Sequence, residues 1–245
     1  MTRFDPDPAA PPRRGGGILR GLAGLLGELL ITAGVFCLAF VVWQLWWTDV
    51  VSDADAADTV AAMEASFNDS LVPQGSEAGG NADLRQIKLG DAYAVVRIPR
   101  FGADYARPLY QGTTRTILQR GVGHYDKTVQ PGEIGNFSMA GHRTTYGKPF
   151  NRIAELKPGD RVIIETADTF FVYRITDHEI VLPTAVQVVL PVPNEPGVKP
   201  SEALMTMTSC HPEFSSRQRY VQHGILETTF PRTDGLPAEY MEVST

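Results

Sequence analysis

ALMTMTSCHP, residues 203–212, is the stretch on which the fold turns: a strand-like run that closes at Cys210 and meets His211 and Pro212 at once. Working outward, runs of the same kind recur. Residues 94–98 and 106–110 flank a Pro-Arg-Phe-Gly turn region, and 136–140 leads into Gly141 and His142. Residues 161–166 and 170–175 are β-branched and aromatic with a short turn between them, and 180–182 and 220–230 supply two more. Residues 114–122 (TRTILQRGV) suit one short helix, and Lys157-Pro158-Gly159-Asp160 marks a turn. Many short strands with one or two helical turns predict a mainly β domain built as a closed or nearly closed barrel. Residues 183–201 carry Pro183, Pro191, Pro193, Pro196 and Pro200 and read as a long ordered loop. Loops of that length inside a compact domain are usually functional.

Composition narrows the class. The 245 residues leave room for one well-packed domain with appendages, and 43% apolar content is ordinary for a globular protein. Net charge is -6, with no basic run outside the N-terminal tail, so no nucleic-acid partner is expected. There is no glycine-rich phosphate loop and no cluster of metal-ligating residues, so neither a cofactor nor a metal is expected.

The N-terminal third predicts a membrane anchor. Residues 29–47, LLITAGVFCLAFVVWQLWW, are nineteen residues without a charge. As a helix rising about 1.5 Å per residue they nearly span the roughly 30 Å hydrocarbon layer. Arg3, Arg13, Arg14 and Arg20 precede the run, and Asp49, Asp53, Asp55 and Asp58 follow it. That asymmetry puts the N-terminus in the cytoplasm and the rest outside the cell membrane, as a single-pass protein. Trp43, Trp46 and Trp47 fall where the outer interface is expected, and Glu28 at the cytoplasmic edge. Ala54-Asp55-Ala56 resembles a signal-peptidase site, but the apolar run exceeds the roughly 7–15 residues of a cleaved signal and ends in tryptophans. The expected organisation is a cytoplasmic tail 1–28, an anchor 29–47, a stalk 48–90, a catalytic domain 91–235 and a tail 236–245. Within the stalk, 52–67 is Ala- and Asp-rich and can form a helix, whereas 73–83 (PQGSEAGGNAD) is composed like a flexible linker.

The chemistry centres on Cys210. The only other cysteine, Cys37, lies in the apolar run, too remote for a disulfide if that run is a membrane helix. A lone thiol outside the membrane is unusual. At a strand end it can be held rigidly and still face a groove, and it needs a proton partner because the thiolate is the attacking form. His211 is adjacent, but neighbouring side chains on an extended backbone point to opposite sides. His142 follows a strand and a glycine, so it too can project from a strand end. His124, His178 and His223 read as surface or structural histidines.

Thr206-Met207-Thr208-Ser209-Cys210 resembles the Thr-Leu-x-Thr-Cys signature of the sortases, and Arg219 falls where that family has an Arg on the following strand. GVGHYDKTVQPGEIGNFSMAGHRTTYG, residues 121–147, is similar to the sortase segment that leads to its catalytic His. The resemblance covers roughly residues 91–231, and the Cys-His-Pro continuation with Val-Gln-His-Gly in the tail is most like class E of high-GC Gram-positive bacteria. Met207 replaces the usual Leu and Ser209 the usual Thr, both keeping side-chain size and character.

The resemblance implies an eight-stranded sortase barrel with short helices behind one transmembrane helix. It implies that Cys210 attacks the Thr-Gly bond of a C-terminal sorting signal, Leu-Ala-x-Thr-Gly more often than Leu-Pro-x-Thr-Gly. His142 would move the proton, and Arg219, with a backbone N–H near Ser209, would hold the oxyanion. Arg217, two residues from Arg219, competes for that role, but the family pattern sets the Arg directly before Tyr220-Val221. The 183–201 loop sits where the family covers the signal's apolar residues, with Val188, Val189 and Leu190 as lining candidates. Implied partners are sorting-signal-bearing surface proteins and the amine of a peptidoglycan precursor or a pilin. Two other classes compete. In L,D-transpeptidases the Cys follows Ser-His-Gly, and in papain-like wall peptidases it precedes the His, neither of which is found here. A catalytically silent anchored β-domain that binds wall polymer would have no need of His, Cys and Arg together.

Overall fold

In the computed structural model, which describes residues 17–71 and 86–243, eight strands close into a barrel. They are β1 (Ala92–Arg97), β2 (Ala106–Gln111), β3 (Val122–His124), β4 (Gly135–Ala140), β5 (Arg161–Glu165), β6 (Thr169–Val181), β7 (Ala203–His211) and β8 (Gln218–Pro231). Around the barrel the order is β1-β2-β3-β4-β7-β8-β6-β5, with β5 back against β1. β4 runs parallel to β7, so the chain must cross over between them, and residues 183–201 lie on that crossover. A long helix, α1 (Gly17–Leu71), precedes the barrel, and a single helical turn, α2 (Arg115–Leu118), follows β2.

Alternation along each strand sorts the side chains. Phe137 and Met139 of β4 and Met205 and Met207 of β7 join the barrel core with Tyr173 and Ile175 of β6. The residues between them, Asn136, Ser138, Thr206, Thr208 and Cys210, lie on the other face of the sheet.

Two differences from the sequence reading have clear causes. Where two strands are expected over 170–175 and 180–182, β6 is one strand of thirteen residues. Its polar middle, Thr176 to Glu179, lacks an apolar pattern but stays extended because Asp177 to Glu179 pair with β8. Where a helix is expected over 114–122, only Arg115–Leu118 is helical. Val122–His124 instead forms β3, parallel to β2 and antiparallel to β4.

Within α1, residues 20–69 are long and apolar enough, by length and composition, to cross a membrane, and they include the expected anchor. Over 47–71, where a stalk is expected, α1 continues as helix and docks on the barrel. Val60, Met63 and Phe67 are buried with Val95 of β1, each worth about 2 kcal/mol by the area it removes from water. Acidic side chains flank this stripe: Asp49 meets Lys148 at 2.7 Å, Asp53 meets Arg107 at 2.7 Å, and Glu64 pairs with Arg97. The expected linker at 73–83 lies outside the described residues. Part of the expected C-terminal tail is packed, with Leu236, Tyr240 and Met241 against Ile163, Phe170 and Val172.

His124, at the end of β3, is fully buried. Its Nε2 donates to the Val129 carbonyl at 3.0 Å, and its Nδ1 lies 2.9 Å from the Tyr93 hydroxyl and 3.0 Å from Gln111 Oε1. Burial, only partly offset by the Val129 carbonyl and Asp126, pushes its pKa down to about 4. The folded form therefore binds fewer protons than the unfolded one. The stabilisation is complete above about pH 6.5 and is lost as pH falls towards about 4, a loss of about 3 kcal/mol. Denaturant unfolding at neutral pH and near pH 4 should show this loss, and His124→Gln should flatten it. An equal acid loss in the variant would assign the effect to other groups.

Candidate active site

The register of three strands assembles the site. β7 and β8 pair so that Cys210 stands directly opposite Arg219. Directly opposed residues of an antiparallel pair project on the same side, with Cβ atoms about 5 Å apart. On the other flank β4 and β7 pair in parallel up to Ala140 and Thr208, and Gly141 N–H adds one more bond to the Thr208 carbonyl at 3.1 Å. His142 and Cys210 each follow two residues beyond that last pair. The three residues expected to carry the chemistry thus come together at one end of β4, β7 and β8.

The turn that presents His142 is fixed from several directions. A Cβ at Gly141 would come within 2.7 Å of the Phe150 ring, so only glycine lets the chain pass this close. The Ser209 hydroxyl donates to the Gly141 carbonyl at 2.9 Å, and Phe150 N–H donates to the His142 carbonyl at 3.0 Å. The His142 ring lies 5.3 Å from that of Tyr146, and its Nε2 is buried with no hydrogen-bond partner among the described residues. Burial, and secondarily the positive charge of Arg115, pushes its pKa below the ordinary 6.5. The neutral imidazole is favoured, a form that can accept a proton.

Arg219 is half-buried, and its Nη1 donates to the carbonyls of Ser216 at 3.0 Å and Gln218 at 2.9 Å. Arg217 lies before the start of β8, is exposed, and bonds Ser215 Oγ through its backbone N and Nε. The two arginines therefore do not share a strand face as a continuous extended run would have them.

The expected substrate-binding residues are placed less uniformly. Ser209 is buried, and its hydroxyl is used on Gly141. Val188 is buried in a 3-10 turn, Val186–Val189, while Val189 and Leu190 are half-exposed. The Val188 and Leu190 carbonyls accept from Asn136 Nδ2 at 3.3 and 2.9 Å, which ties the crossover loop to β4.

Sequence reasoning missed Arg143. It is buried, its Nη1 meets the Cys210 carbonyl at 3.3 Å and His211 Nδ1 at 3.0 Å, and it lies 5.6 Å over the Tyr220 ring. A guanidinium only donates, so His211 Nδ1 must accept. Adjacency to His142 is the only signal for Arg143 in the sequence. His178 is exposed and stacks on Tyr220 at 5.3 Å. Among the described residues no group of three or more His, Cys, Asp or Glu is arranged to hold a metal.

A family model described as the sortase domain matches residues 96–227, more than half of the chain. The chain belongs to the sortase family. Two relatives from Streptomyces coelicolor are each 36% identical to this sortase. SrtE2 is matched over 91% of this chain and 88% of its own length, and SrtE1 over 86% of this chain. The match spans 59% of the length of SrtE1. A crystal structure of sortase E1 from the same organism, with a tripeptide in its active site, is 37% identical with a TM-score of 0.56. It covers 60% of this sortase and 95% of that chain. The eight-stranded barrel and the likeness to class E enzymes expected from the sequence are thus found.

Proposed function

We propose that this sortase is a membrane-anchored cysteine transpeptidase, with Cys210 as nucleophile, His142 as proton carrier and Arg219 as oxyanion partner. The observation that carries the reading is the register: Cys210 opposite Arg219, with His142 two residues past the last β4–β7 pair. The Cys210 thiolate attacks the carbonyl of the threonine in a Leu-Ala-x-Thr-Gly or Leu-Pro-x-Thr-Gly signal. The guanidinium of Arg219 takes up the negative oxygen. His142 first takes the proton of the Cys210 thiol, and the C–N bond to glycine breaks as His142 gives that proton to the departing amine, leaving a thioacyl-enzyme. An incoming amine from a cell-wall precursor then attacks, His142 receives a proton from it, and the thiol leaves. The substrates would be surface proteins that carry the signal, and the apolar helix would hold the N-terminus in the cytoplasm and the barrel outside the cell.

The test is mass spectrometry of the full chain in detergent with both peptides and an added amine. The expected result is cleavage after threonine, a transient adduct on Cys210 and transfer to the amine. No cleavage of either peptide by a protein whose Cys210 alkylates normally would overturn the signal assignment.

A further inference from the structure

The face of the sheet that carries Cys210 also carries a buried polar chain at its other end. Thr206 lies four residues before Cys210 on β7, about 13 Å along the strand. Its Oγ1 meets Asn136 Oδ1 at 2.9 Å and His223 Nδ1 at 3.1 Å, with the Val188 carbonyl at 3.2 Å. On the far side of the ring, His223 Nε2 meets Glu179 Oε1 at 2.9 Å, and the same oxygen accepts from Asn194 Nδ2 at 2.7 Å. The two side chains that flank this imidazole, Thr206 and Glu179, lead on to the crossover loop. Asn136 holds the Val188 and Leu190 carbonyls, and Glu179 holds Asn194, whose N–H in turn donates to the Gln187 carbonyl at 2.9 Å.

Counting protons fixes how the links can coexist. Asn136 spends Nδ2 on two carbonyls, so its Oδ1 accepts, and the Thr206 hydroxyl must donate to it. Thr206 oxygen is then the acceptor facing His223 Nδ1, which must carry a proton. Burial would raise the Glu179 pKa, but the hydrogen bonds from Asn194 and His223 outweigh it and lower it, so Glu179 is an ionised acceptor. His223 Nε2 must therefore carry a proton too. A neutral ring can satisfy only one side. Either Thr206 turns away from Asn136, or a lone pair faces the carboxylate.

We propose that His223, as a doubly protonated imidazolium, is a positioning residue that clamps the 183–201 loop from both sides. The inference rests on the proposed reading of that loop as a wall of the peptide groove. The other titratable or charged groups on this face are Asp177 opposite His223 on β6, Tyr125, whose hydroxyl meets Thr208 at 3.0 Å, and Cys210 and Arg219 at the far end of β7 and β8. β4 and the 3-10 turn bring none, and the loop brings Asn194 with Glu195 next to it. As pH rises and the ring loses one proton, one link fails, the loop loosens and peptide binding weakens.

The test uses the full chain in detergent from pH about 5 to about 9. One arm is hydrogen exchange of residues 186–194, corrected for intrinsic rates and needing no substrate. The other is peptide KM and kcat. Wild-type protection should fall with rising pH, whereas in His223→Gln it should be low and independent of pH. That variant should raise KM by about tenfold, the scale of one lost charge-assisted hydrogen bond, with kcat changed less than about twofold. Thr206→Val, which keeps shape and loses the hydroxyl, should repeat the effect, and Thr206→Ser should restore wild-type behaviour. Protection that is independent of pH in the wild type would overturn the imidazolium. Unchanged KM in both His223→Gln and Thr206→Val would overturn the positioning role. If neither sorting peptide is a substrate, the exchange arm still decides the clamp, so its failure is separate from that of the proposed function.

Discussion

Cys210→Ala is expected to abolish peptide cleavage and the covalent adduct together while leaving the barrel folded. The thiol is half-exposed at the end of β7 and is not part of the buried core, so removing it leaves no cavity of consequence. A nucleophile has no substitute, and neither Ser209 nor Thr208 can take over. Both are buried, and their hydroxyls are engaged, with the Gly141 carbonyl at 2.9 Å and with the Tyr125 hydroxyl at 3.0 Å. Mass spectrometry should find no adduct, and thermal unfolding should stay close to that of the wild type. Turnover within about tenfold of wild type would remove Cys210, and with it the whole mechanism, from consideration.

The Arg219 variants carry the second large effect. A guanidinium offers fixed, permanently charged donors in a planar fork, and lysine keeps the charge without the fork. If Arg219 meets the oxygen only as it becomes negative, Arg219→Lys should lower kcat/KM by about a hundredfold or more. Alkylation of Cys210 forms no oxyanion, so its rate should change far less. Arg217→Lys should be nearly silent in both assays, because Arg217 precedes β8 and is held by Ser215. A sensitive Arg217 would move the role by two residues. Silence in both variants would leave the oxyanion to backbone N–H groups.

The sequence made some of this legible and not the rest. The proposed Cys210, His142 and Arg219 stand in short motifs beside apolar runs, and local pattern suffices to nominate such residues. The clamp at His223 was out of reach. Its partners Glu179, Thr206 and Asn136 are 44, 17 and 87 residues away, and they meet only through the registers of β6 with β8, β7 with β8 and β4 with β7. The sequence of β6 reads as two strands because four polar residues interrupt its apolar pattern, whereas the ladder to β8 holds them extended. The helix over 52–67 could be anticipated from alanine content. Its docking could not, since Val60, Met63 and Phe67 find their partner in Val95, across a segment composed like a linker.

That docked helix decides where the chain can be cut for work in solution. A soluble fragment that starts in the linker would keep every strand and the whole proposed site. It would also uncover Val95 and strip Lys148, Arg107 and Arg97 of Asp49, Asp53 and Glu64. An exposed apolar stripe beside cations that have each lost an acidic partner, though Arg97 keeps Glu165 at 2.7 Å, invites self-association. The cut belongs at the junction after Trp47, where the apolar run ends and the acidic face of the helix begins, so that the barrel is separated from the apolar run with its own cover still attached.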